Sequence, residues 1–398
     1  MKEKHLFLEI GNRYLKFIVI IFDENLYPKV IKTKEAEVNN NFNFDSENKN
    51  EELIDSIKEN LKVIESEVDT IFKSVFIILC SNKIEFTNIM GTKKMSGAQI
   101  SKEDISHIIN DLKDYVLDNE KNRKILHLFN SKYYLDKKEK DNLPIGLSGE
   151  VYNHQLTFFL IREEIIKNLN YVLGKSNLEI KRIILKDLPK CINLSRENPT
   201  KDIIIKLEIK KKSSTINIFD KSSLTYFENF NFGTQIILND IIKVCSLKLD
   251  SVEKILSEIN FDNLNNKENK ILDKKYFGPN TFKKISLSHL KDIISARVEE
   301  IVNILITKNI NLKTYIHHEP NLVIYFEDKI FFKNFYKMFK TIINFKNQPN
   351  IKHKTQDELL KITLISADLI FNGWSKEALP LIQKKKSFIS SIFSRLFD

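Results

Sequence analysis

Few side chains in this sequence have the type and spacing that metal binding or nucleophilic catalysis requires. His317–Glu319 places two histidines beside a glutamate, but consecutive side chains on a loop point in different directions and do not surround a metal ion. The three cysteines, Cys80, Cys191 and Cys245, lie far apart in apolar runs, as buried free thiols do in a reducing compartment. The sequence therefore predicts no metal site, and it identifies no catalytic residue.

The last residues of the chain, Lys384–Asp398, join a basic cluster to an amphipathic pattern. If Ser387 caps a helix, the apolar side chains fall on one half of the helical wheel and the small polar ones on the other. This pattern is typical of a helix in the interface of an anionic membrane. The residues expected to contact the membrane are Lys384, Lys385, Lys386, Phe388, Ile389, Ile392, Phe393, Arg395, Leu396 and Phe397. The alternative is a terminal helix that packs on the protein core.

The composition predicts a globular protein and argues against nucleic-acid binding. The 398 residues carry a formal net charge of +10, but the lysines are scattered and form no sustained basic block. A positive net charge suits binding to an anionic membrane surface equally well. No apolar run reaches the roughly 18 residues that span a bilayer, and the first residues lack the pattern of a secretory signal. We therefore expect a cytoplasmic protein with peripheral membrane contact.

Two stretches of the chain share a strand–turn–strand pattern. In Leu6–Phe22 and again in Ile203–Phe219, apolar β-branched segments flank a short polar turn. The tripeptide Leu-Glu-Ile precedes the turn in both, at Leu8–Ile10 and at Leu207–Ile209. Such an internal duplication predicts two related α/β halves that face one cleft, which is the architecture shared by actin, hexokinase and Hsp70.

A smaller α+β unit is predicted between the two halves, over residues 84–161. Ser101–Asp104 resembles a capping box at the start of a helix. Strands follow at Lys124–Leu135 and at Val151–Ile161, and the densest turn signal of the chain, Leu143–Gly149, lies between them. The segment Phe86–Gly97 shows no clear pattern and is predicted to be irregular.

The motifs of this unit carry a family resemblance. The turn Pro144–Gly149, with the sequence Pro-Ile-Gly-Leu-Ser-Gly, and the strand Lys124–Asp136, which ends in tyrosine and aspartate, resemble the bacterial cell-division protein FtsA. The resemblance covers nearly the whole length. It implies an α/β, actin-like (actin–hexokinase–Hsp70) two-lobed fold in which an FtsA-type α+β subdomain replaces an actin subdomain.

The resemblance also implies how the chain is divided. The expected parts are a first lobe (1–83 and 162–200), the inserted subdomain (84–161), the core of the second lobe (201–244 and 321–374), its small subdomain (245–320), a linker (375–383) and the membrane-targeting helix (384–398).

The partners that the resemblance implies are those of an adaptor at the division septum. FtsA tethers filaments of the tubulin-like protein FtsZ to the inner face of the cytoplasmic membrane. The FtsZ C-terminal peptide would bind the small subdomain of the second lobe, where Arg297 and Lys291 are expected to face it. Other divisome proteins and self-association into actin-like polymers are further expected partners.

The family's ATP site, which would also hold magnesium, is where this sequence departs from the resemblance. The family has Asp-Ile-Gly followed by a hydroxyl residue in its first turn, whereas this chain has Glu9-Ile-Gly-Asn12. The three glycines of the second turn are replaced by Lys210–Lys212, and the adenosine-side loop, Tyr325–Asp328, contains no glycine. A Cβ atom in such a turn obstructs the close approach of backbone N–H groups to phosphate.

What remains of a nucleotide site would consist of Glu9, Gly11, Asn12, Lys16, Glu208, Ser213 and Gly233. These changes favour weak or absent ATP binding and a protein that is not an enzyme, although they leave a weak ATPase open. Two alternatives also stay open: an ATP-binding FtsA with unorthodox phosphate loops, and a soluble actin-like scaffold of the pilus-assembly type.

Overall fold

The chain forms two compact units. The computed structural model describes residues 3–11, 14–38, 51–80, 84–263, 270–277, 282–343, 348–353 and 356–380. Unit 1 comprises residues 1–197, 220–225 and 357–398, and unit 2 comprises residues 198–219 and 226–356. No helix in these described ranges is long and apolar enough to cross a membrane.

A five-stranded mixed sheet forms the centre of unit 1. Its strands are β1 (Lys4–Ile10), β2 (Tyr14–Phe22), β3 (Pro28–Glu37), β4 (Ser74–Leu79) and β9 (Glu179–Leu185), in the order β3-β2-β1-β4-β9. The first three strands are antiparallel, and β4 and β9 continue the sheet in parallel. The central strands are apolar and buried because parallel strands are covered on both faces.

Helices α1 (Glu51–Val68), α3 (Glu163–Gly174) and α4 (Asp187–Glu197) contact strands of this sheet. Helix α1 buries Leu53, Ile54, Ile57, Leu61 and Ile64, which recur at the spacing of one helical face.

The inserted subdomain of unit 1 has its own sheet and helix. Its strands are β5 (Glu85–Lys94), β6 (Arg123–Leu135), β7 (Lys138–Lys140) and β8 (Val151–Arg162), and its helix is α2 (Lys102–Asn119). The capping box at the start of α2 is confirmed, since the Ser101 side chain accepts from the Asp104 N–H and the Asp104 side chain accepts from the Ser101 N–H. The expectation that residues 86–97 are irregular was wrong, because most of them belong to β5, which pairs with β8 along its whole length.

Unit 2 repeats the strand order of unit 1. Its sheet has the strands β10 (Ile203–Ile209), β11 (Ser214–Asp220), β12 (Ser223–Phe230), β13 (Asn321–Phe326) and β14 (Asn350–His353), in the order β12-β11-β10-β13-β14. Residues 220–225, at the end of β11 and the start of β12, are grouped with unit 1. Its helices are α5 (Gln235–Cys245), α6 (Leu249–Glu258), α7 (Leu287–Val302), α8 (Ile310–Ile316) and α9 (Lys329–Ile342), and a π-helical turn (Asn303–Thr307) follows α7.

The two central hairpins match at the level of single hydrogen bonds. The Gly11 N–H donates to the Tyr14 carbonyl in the first turn, at 3.0 Å, and the Lys210 N–H donates to the Ser213 carbonyl in the second, at 2.9 Å. In the same way the carbonyl of Ile10 accepts from the Cys80 N–H and the carbonyl of Ile209 accepts from the Glu327 N–H. The duplication predicted from the sequence is therefore confirmed in the backbone.

The C-terminal elements differ from the expected division of the chain. Helix α10 (Gln356–Asn372) was expected in the core of the second lobe. From residue 357 onward, it belongs to unit 1. Strand β15 (Glu377–Pro380) lies in what was expected to be a linker, and it pairs antiparallel with β6 at the edge of the inserted sheet. The expected membrane-targeting segment, 384–398, lies outside the described residues.

A buried ion pair holds β15 in place. The Glu377 carboxylate accepts from Arg182 Nη2 at 3.0 Å and contacts His127 Nδ1 at 2.7 Å. The His127 Nε2 atom accepts from the Leu185 N–H, which leaves Nδ1 as the donor to Glu377. Burial acts to raise the pKa of Glu377, but the charge of Arg182 and the hydrogen bond from His127 outweigh it and hold this pKa below its ordinary value.

Removing this buried charge should destabilise unit 1. We expect Glu377→Gln to lower the free energy of unfolding by about 3–5 kcal/mol, because the Arg182 guanidinium stays buried without its counter-charge. Urea-induced unfolding followed by circular dichroism measures the change. The matched control is Glu67→Gln, which breaks a half-exposed pair with Lys32 at 3.1 Å and should cost less than about 1 kcal/mol. Equal effects of the two substitutions would contradict the role given to Glu377.

Candidate nucleotide-site hairpins and partner-facing residues

The first hairpin is closed by a buried ion pair. Glu9, at the end of β1, is 3% exposed, and Lys186, which follows β9, is 4% exposed. The Lys186 ammonium donates a hydrogen bond to Glu9 Oε1, and the Tyr14 hydroxyl donates to the same oxygen at 2.5 Å. The thiol of Cys80 lies 3.8 Å from it. The carboxylate is thus surrounded by donors that belong to the chain itself.

The titration behaviour of this cluster follows from burial and pairing. Burial acts to raise the pKa of Glu9, but the charge of Lys186 and the hydrogen bonds from Lys186 and Tyr14 outweigh it, so this pKa lies below its ordinary value. Burial and the neighbouring Cys80 and Glu9 raise the pKa of the Tyr14 phenol. Glu9 is therefore a carboxylate at neutral pH, and Tyr14 remains a neutral donor.

The Tyr14 ring fills the space beside the glycine of the first turn. A Cβ atom placed on Gly11 would lie 2.2 Å from Tyr14 Cε1. Gly11 is therefore required by the close approach of this ring to the backbone. Lys16 lies opposite Glu9 in the β1–β2 register and is half-buried. Asn12 lies outside the described residues.

The second hairpin repeats this charge arrangement on a single strand. Glu208 and Lys206 both lie on β10, are 1% and 2% exposed, and form an ion pair at 3.0 Å. They are two residues apart, so their side chains extend from the same face of the strand. Each hairpin glutamate is therefore neutralised by a buried lysine.

The N-terminus of helix α5 is closed by the lysine turn. The N–H groups of Thr234 and Gln235 donate to the carbonyls of Lys210 and Lys211, at 3.0 and 2.8 Å. Free N–H groups at a helix N-terminus are what binds phosphate, and here the hairpin backbone occupies them. Gly233 permits this contact, because a Cβ atom on it would lie 2.0 Å from the Lys210 carbonyl oxygen.

Residues in the remaining parts of the expected phosphate and adenosine loops also form hydrogen bonds or an ion pair within the chain. Asp328 caps helix α9, where its carboxylate accepts from the N–H groups of Ile330 and Phe331. Among the lysines of the second turn, Lys211 and Lys212 are exposed, and Lys211 lies 3.6 Å from Glu253. Ser213 is half-buried, and its carbonyl closes the turn.

These contacts do not fit magnesium and a nucleotide. Magnesium requires carboxylate or water oxygens that are free to coordinate it, whereas Glu9 and Glu208 each accept from a buried lysine. Across the described parts of the chain, no group of three or more histidine, cysteine, aspartate or glutamate side chains could hold a metal ion.

The structure gathers the expected site residues into two groups, one in each unit. Glu9, Gly11 and Lys16 belong to the first hairpin, and Glu208, Ser213 and Gly233 belong to the second. Sequence reasoning missed Tyr14, Lys186 and Lys206. Lys206 gave a local signal, since it interrupts an otherwise apolar strand two residues before Glu208. Lys186 gave none, because it lies 177 residues from its partner.

The two residues expected to face a partner peptide lie on helix α7. The Arg297 guanidinium forms ion pairs with Asp240 through Nε and with Glu300 through Nη1. Lys291 is half-buried and lies close enough to Asp262 for its charge to act on that carboxylate. A peptide carboxylate that binds Arg297 would have to compete with Asp240 and Glu300.

Comparison with known proteins agrees with this architecture. Residues 81–153 match the family model described as the SHS2 domain inserted in FtsA. A solved PilM–PilN type IV pilus biogenesis complex has a chain that superposes with a TM-score of 0.55 and 12% identity, covering 94% of this chain and 99% of that one. The chain therefore has an actin-like fold that carries a match to the SHS2 insertion of FtsA.

By sequence, this protein is related to the cell-division protein FtsA. It is 21% identical to FtsA of Buchnera aphidicola subsp. Acyrthosiphon pisum over 268 residues, which are 67% of this chain and 63% of that relative. It is 18% identical to FtsA of Escherichia coli K12 over 191 residues, which are 48% of this chain and 45% of that relative. The chain thus matches less than two thirds of the length of the Buchnera relative and about half of the length of the Escherichia coli relative.

The contact between Gly233 and the lysine turn leads to a stability prediction. Gly233→Ala should lower the free energy of unfolding by at least about 2 kcal/mol, because the added methyl group collides with a backbone carbonyl that cannot rotate away. The matched control is Gly174→Ala at the end of α3, where a Cβ atom meets nothing within 4 Å. That substitution should leave stability unchanged or raise it by up to about 1 kcal/mol. Chemical denaturation of both variants measures the free energy of unfolding. If Gly233→Ala leaves it unchanged, the lysine turn does not close against helix α5.

Proposed function

We propose that this protein is a cell-division adaptor that tethers FtsZ filaments to the cytoplasmic face of the membrane at the division septum. The observation that carries the proposal is the FtsA-type SHS2 insertion within an actin-like fold. It is also supported by the similarity to FtsA, which extends over as much as two thirds of the chain. The membrane attachment is assigned to the amphipathic segment 384–398, whose pattern is read from the sequence alone.

The adaptor is proposed to work without a nucleotide and not as an enzyme. Support comes from the two hairpins, where Lys186 and Lys206 neutralise the glutamates and where the lysine turn closes the N-terminus of α5. A nucleotide phosphate would have to break the hydrogen bonds of Thr234 and Gln235 and would meet the carbonyl oxygens of Lys210 and Lys211.

The FtsZ C-terminal peptide is proposed to bind the small subdomain of unit 2, with Arg297 and Lys291 as contact residues. An acidic peptide group would take the place of Asp240 or Glu300 at the half-exposed Arg297 guanidinium. One short amphipathic helix binds a membrane reversibly, so stable attachment would come from several copies held together in a polymer. Self-association is therefore part of the proposed function, as is recruitment of other divisome proteins.

Liposome co-sedimentation tests the membrane and FtsZ parts together. The full chain should pellet with anionic vesicles and should carry an FtsZ C-terminal peptide with it. A chain that ends at residue 383 should remain in the supernatant but still bind the peptide. The matched control replaces Phe393 with aspartate in the full chain, which keeps the length but places a charge on the apolar face. If the full chain also stays in the supernatant, the protein is a soluble scaffold, and the tethering function is wrong.

The second candidate function is that of an ATP-binding FtsA with unorthodox phosphate loops, which the exposed Lys211 and Lys212 favour. Isothermal titration with ATP and magnesium separates the two candidates. We expect no heat of binding and no rise in the melting temperature at millimolar ATP, where even a micromolar site would add about 4 kcal/mol of stability. Micromolar binding that is lost in Gly11→Val would overturn the nucleotide-independent proposal in favour of this candidate.

A further inference from the structure

The inserted sheet has one long edge strand that lacks the usual protection against pairing. Edge strands are normally protected by proline, lysine, bulges or shortness. Strand β3 begins at Pro28, carries three lysines and has a bulge against β2. Strands β14 and β15 have four residues each. In β9 and β12 at least half of the residues are buried.

Strand β5 has none of these features in its central part. It is ten residues long, contains no proline and pairs with β8 without any shift in register. Among the described residues, none pairs with its outer side, so β5 is the edge in the order β15-β6-β8-β5. From Thr87 onward, half-buried or buried residues alternate with exposed ones, and Met90 near its centre is 48% exposed. Charges occur only near its ends, at Glu85, Lys93 and Lys94.

We propose that β5 is a self-association surface at which two copies of this chain pair antiparallel, edge to edge. The two inserted sheets would then form one continuous sheet across a two-fold axis. This surface would supply the interface for the self-association proposed above, on which it rests, and it requires no nucleotide and no membrane.

Symmetry and charge together fix the register of this pairing. A two-fold axis perpendicular to the sheet places odd-numbered residues opposite odd-numbered ones and even opposite even, because opposed side chains share a face. With Ile89 opposite its own copy, Glu85 of one chain faces Lys93 of the other, at both ends of the pair. Thr87 then faces Gly91, and no like charges oppose each other. The neighbouring register, centred on Met90, loses both ion pairs.

The surroundings of the two charges support this register. Within one chain Glu85 pairs with Arg123 at 2.7 Å, and Lys93 pairs with Asp104 at 2.6 Å. Pairing of two copies would therefore create a row of alternating charge at each end, with Arg123 and Glu85 from one chain followed by Lys93 and Asp104 from the other. An antiparallel pair of this length forms about eight to ten backbone hydrogen bonds.

Mixed cysteine cross-linking tests the register in the full chain. Glu85→Cys and Lys93→Cys are purified separately and then mixed under mild oxidation. The mixture should give a disulfide-linked dimer, because opposed Cβ atoms in such a pair lie about 5 Å apart. Either variant alone should give no more dimer than the unsubstituted chain, because equivalent positions lie about 27 Å apart along the strands. A mixture that cross-links no better than its components would overturn the proposal.

A second measurement tests the edge without any cysteine. Sedimentation equilibrium of the full chain should show a monomer–dimer equilibrium. Met90→Lys should weaken it at least about tenfold, since it brings two lysines close together across the axis. The matched control is Tyr115→Lys on helix α2, where Tyr115 is 58% exposed, and it should leave the equilibrium unchanged. A monomer at every concentration, or equal effects of the two substitutions, would show that β5 is not the surface.

Discussion

A buried carboxylate on the first strand of each central hairpin is paired with a buried lysine, and the burial of either charge depends on this pair. Neither charge could be buried alone without a large loss of stability, so each glutamate requires its lysine. In unit 1 the pair Glu9–Lys186 joins the end of β1 to the residue that follows β9. In unit 2 Lys206 and Glu208 satisfy each other within β10. Each hairpin glutamate is thus neutralised by a lysine of the same unit.

The two units reach the same closed turn by different means. In unit 1 the Tyr14 ring lies against Gly11 and fills the space beside the backbone. In unit 2 the carbonyls of Lys210 and Lys211 turn toward helix α5 and accept from its first N–H groups.

The sequence predicts this architecture well where the signals are local or repeated. The Leu-Glu-Ile repeat predicts two related halves, and the Ser101–Asp104 box marks the start of α2 to the residue. Strand β5 was missed because its asparagine and glycine residues are depleted in strands, and only pairing with β8 makes this segment a strand. Strand β15 was missed for a related reason, since it depends on contacts such as that between His127 and Glu377, 250 residues apart.

The placement of β15 also has a mechanical consequence. A force applied to the chain beyond Pro380 would enter the body through this strand, which lies antiparallel to β6 at the sheet edge. Such a pull would be resisted by the ladder of hydrogen bonds and by Glu377, which is fixed to Arg182 and His127 in the core. Helix α10 lies on the body side of this attachment and would bear little of the load. The inserted subdomain is therefore the first part of the protein to be loaded by such a force, and β15 is the strand that would detach first.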